Sequence, residues 1–191
     1  MRWLAYFILA YLALGVQVGM GPYVSYQGAT PNLVLLAALF IAINAPRNVA
    51  LLGCFGMGLM HDLLTQQTPG VFALSYGLVG MMAAGTQQVV YKDHPLTHFS
   101  MALAAAVVVA VVVLLNGWVR PPGPALTAWV GGVGPAPATQ ATFAAVYLSP
   151  TTEFTRALYT AILAPVVIGV LLRVKRAFAF QQPKRKLSNR F

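Results

Sequence analysis

The charged residues of this chain are confined to the gaps between six long apolar runs. About 20 apolar residues can cross the hydrocarbon core of a bilayer as a helix, so six runs predict six transmembrane helices. Most basic residues fall in every second gap: Arg2, Arg47, Lys92, Arg173, Lys175, Arg176, Lys184, Arg185, Lys186 and Arg190. Only Arg120 and Arg156 fall in the other gaps. Because Lys and Arg in short loops are retained on the cytoplasmic side, this alternation predicts that both termini lie in the cytoplasm.

The composition independently supports a membrane protein. Hydrophobic residues make up 59% of the chain and charged residues 8%, with a mean hydropathy of +0.73. Soluble domains carry about 25% charged residues. The net charge of +9 is concentrated in a carboxyl-terminal cluster beside a predicted membrane helix, so we expect anionic lipids, and not nucleic acid, as its partner. The single cysteine, Cys54, excludes a disulfide framework within the chain.

We therefore predict an all-α polytopic membrane protein with a six-transmembrane-helix bundle. The helices are expected at about 3–20, 31–45, 49–64, 71–90, 99–118 and 157–172. They form one membrane domain over residues 1–176, with an extracytoplasmic loop at 120–156 and a basic cytoplasmic tail at 177–191.

Two of these assignments have alternatives. The first run, preceded by Arg2, also has features of a secretory signal. We favour a retained helix because Gly15 and Gly19 form a small-residue pair suited to close helix contact. The second and third runs are short enough for a re-entrant hairpin. That arrangement would place Arg47 on the outer side against the charge pattern, so we favour two crossings.

The third run carries the densest local signal, with three glycines followed by an acidic residue. At 100° per residue, Gly53 and Gly56 share one face, while Gly58 and Asp62 share the opposite one. Because both faces favour protein neighbours, we expect this helix at the centre of the bundle. The fourth run repeats small residues, among them Gly77 and Gly80, which is typical of closely packed membrane helices.

Asp62 requires a partner from another element. It lies near the carboxyl end of its helix, where the helix dipole disfavours a carboxylate, and no basic residue is within helical reach. The following turn returns the chain, so the free N–H groups that open the fourth run are the expected donors. Arg156 and Arg120 are the other candidates. The alternative is a carboxylate exposed to water among the lipid headgroups.

The sequence provides little support for metal or catalytic chemistry. His61 next to Asp62, and the group Asp93, His94 and His98, are the only possible constellations. His94 and His98 have i, i+4 spacing, but Pro95 lies between them and no third strong ligand is close in sequence. We interpret them as interfacial polar residues and expect no metal or cofactor. No nucleophile, base and orienting group occur in a recognisable arrangement, so we expect no enzymatic activity.

Several motifs together resemble one known family. They are Pro31-Asn32-Leu33, then Gly53-x-x-Gly56-x-Gly58-Leu59-x-x-Asp62-Leu63-Leu64, then Pro69-Gly70-Val71-x-Ala73-Leu74-x-Tyr76-x-Leu78-Val79-Gly80, and finally Ala161-x-Leu163-Ala164-Pro165. Over about residues 1–118 and 155–176 the chain resembles the rod shape-determining MreD family. Two features depart from it: Asn32 replaces an acidic residue often found after the proline, and the outer segment 120–150 is long.

The resemblance implies a non-enzymatic inner-membrane scaffold of the bacterial elongation machinery. Its implied partners are the bitopic protein MreC and, directly or indirectly, MreB, RodA and the transpeptidase that works with RodA in peptidoglycan synthesis. Its implied fold is similar to that of the substrate-binding components of energy-coupling vitamin transporters. We expect small-residue faces of the first, third or fourth helix to hold the helix of MreC. The residues of these faces are Gly15, Gly19, Gly53, Gly56, Gly58, Asp62, Gly77 and Gly80.

Two other function classes remain as alternatives. The main one is a solute-binding membrane component of a vitamin or metal transporter, which would need convergent polar side chains in the outer half of the bundle. The other is an intramembrane enzyme that uses Asp62 and His61, for which neither geometry nor partners are evident.

Overall fold

A computed structural model describes residues 3–20, 23–26, 29–64, 69–86, 95–119 and 150–178 of the chain. Within these ranges the protein is all-helical, apart from an isolated bridge between Tyr26 and Ala29. The six helices are α1 (Trp3–Met20), α2 (Leu33–Asn44), α3 (Arg47–Leu64), α4 (Val71–Thr86), α5 (Pro95–Val119) and α6 (Pro150–Phe178). Residues 120–149 of the expected 120–156 loop, the Lys92 turn and residues 179–191 of the expected 177–191 tail lie outside the described residues. Residues 150–156 and 177–178, expected in the loop and the tail, are helical.

The two longest helices begin earlier than the apolar runs suggested. α5 begins at Pro95 and α6 at Pro150, whereas we expected starts near 99 and 157. A proline at the first helical position suits both starts, because its missing N–H would have no partner there. Glu153 in the first turn of α6 also favours this start, since a carboxylate there interacts well with the helix dipole. α6 continues through Pro165 to Phe178.

The centre of the bundle is α2, and the expectation that α3 lies there is wrong. Every residue of α2 from Val34 to Asn44 is buried. α2 can be enclosed on all sides because its sequence has no polar face. α3, in contrast, buries one side and exposes Leu52, Phe55, Leu59 and Leu63. Its glycines reflect close approach to its neighbours and not a central position.

The other five helices surround α2. α3 packs most extensively against α4, and α5 against α6, while α4 also contacts α5. α1 is the most peripheral helix, because it contacts α2 and, at fewer positions, α3. All five contact α2. The buried residues of these helices form one continuous apolar core.

The helices differ in their capacity to cross a bilayer. By length and composition, two described segments could span a membrane, Leu96–Val119 and Pro150–Arg173. Tyr6–Met20, Leu33–Asn44 and Val71–Thr86 are apolar but shorter. With 12 residues, α2 is about 18 Å long, well below the ~30 Å of a hydrocarbon core. The ends of α2 therefore need hydrogen-bond partners from the protein itself.

Candidate functional site

Polar side chains gather where the carboxyl ends of α1 and α3 meet the amino ends of α2, α4 and α6. They surround a cleft of about 240 Å³. Every described helix contributes to its lining, α2 through its N-cap residue: Leu14, Gln17, Val18, Thr30, Asn32, His61, Leu64, Phe72, Val109, Val113, Glu153 and Arg156. We refer to these residues as the polar cleft. Six of them are polar, an unusual concentration in a chain of this composition.

Asp62 makes the hydrogen bonds that the sequence predicted. Its Oδ1 accepts from the backbone N–H of Phe72 at 3.0 Å and its Oδ2 from that of Ala73 at 2.8 Å. The residue before α4 is Gly70, with φ +99°, which has no side chain to cap the helix. Asp62 therefore replaces the missing N-cap from a neighbouring helix. The alternative of an exposed carboxylate is wrong, because Asp62 is 4% exposed.

A chain of side-chain hydrogen bonds connects α2, α3 and α4. Asn32 Oδ1 accepts from the backbone N–H of Leu35, as an N-cap does, and also from the Tyr76 hydroxyl at 2.9 Å. Tyr76 has one hydroxyl proton, so its 2.8 Å contact with His61 Nδ1 requires that nitrogen to be the donor. The network thus assigns the proton of neutral His61 to Nδ1. His61 is buried and stacks on Phe72.

Side chains from two further helices bind the amino end of α2. Thr160 Oγ1 on α6 accepts from the backbone N–H of Asn32 at 2.9 Å. Gln17 Oε1 on α1 accepts from that of Leu33 at 2.7 Å, and Gln17 Nε2 donates to the Pro31 carbonyl. Because this end of α2 is buried, its free N–H groups would be costly without such partners. Several polar side chains of the cleft region therefore stabilise the short central helix α2.

The first turns of α6 add an ion pair to the polar cleft. Arg156 Nη1 donates to Glu153 Oε1 at 2.7 Å, with side chains 16% and 3% exposed. Arg156, one candidate partner for Asp62, thus pairs with an acidic residue of its own helix, and Asp62 is held by backbone groups. Glu153, Tyr76 and Thr160 were not among the predicted site residues, although Tyr76 belongs to one of the family motifs. The signal for Glu153 was its position three residues after Pro150 and three before Arg156.

Comparison with known proteins identifies the family. Residues 1–130 match the family model described as rod shape-determining protein MreD. The chain belongs to the MreD family. No curated protein and no solved structure matches it. MreD proteins are membrane proteins, in agreement with the two long apolar segments. The matched range includes α1 to α5, whereas Glu153, Arg156 and Thr160 of α6 lie beyond it.

The structure of this MreD-family protein divides the glycines proposed for partner binding into two groups. Four of them pack inside the bundle. A Cβ on Gly53 or Gly56 would meet the Tyr6 ring or hydroxyl, and one on Gly80 would lie 2.9 Å from the Cys54 Cβ. At Gly58 a Cβ would collide with the backbone of Phe72 and Ala73. These glycines set the contacts of α3 with α1 and α4, so bulky substitutions there would test folding and not partner binding.

The remaining glycines are accessible to a partner. A Cβ on Gly15 or Gly19 of α1 would meet no atom within 4 Å, and one on Gly77 would meet only the Phe55 ring at 3.7 Å. The partner-binding role therefore remains a prediction chiefly for α1. Gly15 and Gly19 lie on its exposed side, together with Tyr11 and Leu12.

The remaining predicted residues are the basic ones expected at the membrane surface and the possible metal ligands. Arg173 is exposed in α6, whose last turns also contain Lys175 and Arg176. Lys184, Arg185 and Lys186, like Asp93 and His94, lie outside the described residues. His98 is buried in α5. Across the described helices, no three His, Cys, Asp or Glu side chains are grouped as metal ligands would be.

Proposed function

We propose that this MreD-family protein is a non-enzymatic scaffold in the bacterial inner membrane that binds the bitopic protein MreC during cell elongation. The observation that carries this proposal is the family match over residues 1–130. Through MreC, the protein would work with MreB, RodA and the associated transpeptidase. The comparisons give no support to the transporter alternative, although the polar cleft does gather polar side chains at one end of the bundle.

The proposed topology has six crossings with both termini in the cytoplasm. Two features support it. The positively charged gaps alternate along the chain. In addition, the ends of α1 to α4 and α6 that this topology places outside all border the polar cleft. The exposed Arg173 and the basic residues after it would then lie at the inner surface, where anionic lipids attract them by about 1 kcal/mol per residue.

Reporter fusions test this topology directly. Fusions at Lys92 and after Arg190 should both give a cytoplasmic signal, and a fusion within 120–149 should give an extracytoplasmic one. Signals from opposite sides for Lys92 and the tail would contradict the six-crossing arrangement.

We assign MreC binding to the exposed face of α1. The contacts of this helix with the rest of the bundle are the least extensive of the six described helices, and a Cβ on Gly15 or Gly19 would meet open space. Small residues four apart allow a second helix to approach closely, which is how membrane helices associate without a hydrophobic driving force. Gly15, Gly19 and the flanking Leu12 therefore form a surface that suits the single helix of MreC.

Leucine substitutions provide the test. Gly15→Leu and Gly19→Leu should strongly reduce co-purification of MreC from membranes, because the added side chains would hold the partner helix away. Gly85→Leu and Gly169→Leu are matched controls, since a Cβ at either position also meets no atom within 4 Å. The controls should retain MreC. If all four variants retain MreC, α1 is not the docking face. If all four lose it, the loss is a general effect of introducing leucine and not evidence for α1.

Crosslinking defines the contact in more detail. The only cysteine, Cys54, is buried and can be replaced by alanine to give a background for single-cysteine variants. Cysteines at positions 8, 12, 15 and 19 should crosslink to MreC, whereas cysteines on the exposed face of α6, such as position 166, should not. Crosslinks confined to α6 would move the interface away from α1.

A further inference from the structure

The ion pair at the polar cleft is not accounted for by the capping of α2 or α4. Asp62, Asn32, Gln17 and Thr160 each satisfy backbone N–H groups at helix ends. The Glu153 carboxylate accepts from none of these N–H groups in the contacts described above, and Arg156, which is a donor only, cannot cap one. An ionisable pair in an apolar bundle loses hydration, and such residues usually serve a function when they face a cavity.

One carboxylate oxygen of this ion pair, Oε2 of Glu153, is available to a ligand. Glu153 is 3% exposed, and its one hydrogen bond to a described residue is the bond from Arg156 to Oε1. Glu153 lines the polar cleft, so Oε2 can accept a hydrogen bond there. The Arg156 guanidinium, with five N–H donors in total, borders the same space.

The Asn32 amide provides a second hydrogen-bond donor in the polar cleft. Both described hydrogen bonds of the Asn32 side chain are accepted by Oδ1, which fixes the orientation of the amide. The Asn32 NH₂ group makes no hydrogen bond to a described residue, and Asn32 lines the polar cleft. The cleft therefore combines a negatively charged acceptor with a cationic donor and a neutral donor.

We propose that the polar cleft binds a small zwitterionic group in which an ammonium lies close to a phosphate or carboxylate. The ammonium donates to Glu153 Oε2, and the anionic group accepts from Arg156 and the Asn32 amide. The phosphoethanolamine headgroup of a phospholipid has this chemistry, and so does a free zwitterion of the same kind. The cleft volume of about 240 Å³ suits a headgroup-sized molecule.

Charge balance favours a zwitterion over a simple ion. A cation near Glu153 would face Arg156, and an anion near Arg156 would face Glu153, because these two charged groups are 2.7 Å apart. Asp62 does not line the cleft, and both of its carboxylate oxygens already accept backbone hydrogen bonds from α4, so the charges that face a ligand are those of the ion pair. A zwitterion can align its two charges with the pair and avoid both repulsions.

The test compares lipids that differ in one charged group. The full chain is reconstituted in nanodiscs with equal parts phosphatidylethanolamine, phosphatidylglycerol and phosphatidylcholine, and bound lipid is identified by native mass spectrometry. We expect a 1:1 adduct with phosphatidylethanolamine. Phosphatidylglycerol lacks the ammonium, and the quaternary ammonium of phosphatidylcholine cannot donate a hydrogen bond to Glu153.

Three variants localise the binding. Glu153→Gln should reduce phosphatidylethanolamine retention at least about tenfold, since a hydrogen bond to a charged group contributes that factor or more. Val18→Trp should also abolish the adduct, because Val18 lines the cleft but is 62% exposed, so the ring can block the entrance without disturbing the core. Arg173→Gln, which removes an exposed charge outside the cleft, should bind as the wild type does. Protection of the buried Cys54 thiol from a maleimide confirms folding of each variant.

A soluble probe distinguishes the two sources of the ligand. O-phosphoethanolamine is added to the detergent-solubilised protein and the melting temperature is measured. A rise without any lipid adduct would assign the site to a free zwitterion. The proposal would be overturned if all three lipids bound equally, or if Val18→Trp still retained phosphatidylethanolamine. It would also be overturned if neither phosphatidylethanolamine nor O-phosphoethanolamine bound.

Discussion

The Asp62→Asn substitution tests how strongly one carboxylate holds α3 to α4. In the wild type, Asp62 accepts from the backbone N–H groups of Phe72 and Ala73 at 3.0 and 2.8 Å. Asparagine keeps one acceptor oxygen but places an NH₂ group against the second backbone donor. One charge-assisted hydrogen bond is lost, ~1.5–3 kcal/mol, together with ~0.3–1 kcal/mol from the interaction with the α4 dipole. We therefore expect a loss of about 2–4 kcal/mol.

The single buried cysteine provides the assay. The Cys54 thiol lies inside the bundle and donates to the Ala38 carbonyl at 3.3 Å, so a thiol-reactive fluorophore labels it only when the helices separate. For a chain of this size, the melting temperature should fall by about 5–15 °C. Leu63→Ala is the matched control, because Leu63 is 78% exposed on the same helix and should change the melting temperature little. If Asp62→Asn melts within about 1 °C of the wild type, Asp62 does not cap α4.

Two further substitutions test the close packing and the hydrogen-bond chain. Gly58→Ala would bring a Cβ to 2.6 Å from the Ala73 Cα, so α3 and α4 must separate, and thermal unfolding should show a loss of about 1–3 kcal/mol. Gly85→Ala, where the space is open, should show none. Tyr76→Phe removes the donor to Asn32 and the acceptor of the His61 proton, so we expect a loss of about 1–3 kcal/mol in the same assay. Tyr11→Phe, at a hydroxyl on an exposed side chain, is its control; an equal effect in both tyrosine variants would contradict the network.

The sequence predicted those features that depend on local pattern. Six apolar runs correspond to the six described helices, because hydropathy over a run is a property of neighbouring residues. The hydrogen bonds of Asp62 were predictable for a related reason. A short turn between two helices must return the chain, so the end of α3 and the start of α4 meet whatever the rest of the bundle does.

The position of α2 and its hydrogen-bond partners could not be predicted in this way. The glycines of α3 suggested a central helix, but a small residue shows only that one neighbour approaches closely at that point. The better signal was the absence of any polar residue between Leu33 and Ile43. Asn32, Tyr76 and Thr160 are far apart in sequence, and no local pattern relates them. Glu153 was assigned to a loop because the helix start was read from hydropathy and not from the proline before it.

Because α2 is short, the polar side chains that cap its ends can be distinguished from those that are free to bind a ligand. A helix of 12 residues ends inside the bundle, so its free N–H groups require partners, and Gln17, Asn32 and Thr160 supply them. Loss of any of these should destabilise the fold with or without a ligand. Glu153 interacts favourably with the dipole of α6, but its carboxylate accepts no backbone N–H in the contacts described, so an apolar residue there would leave every described cap intact. A buried charge pair that supplies none of the described caps, and that lines the polar cleft, is best explained by what enters that cleft.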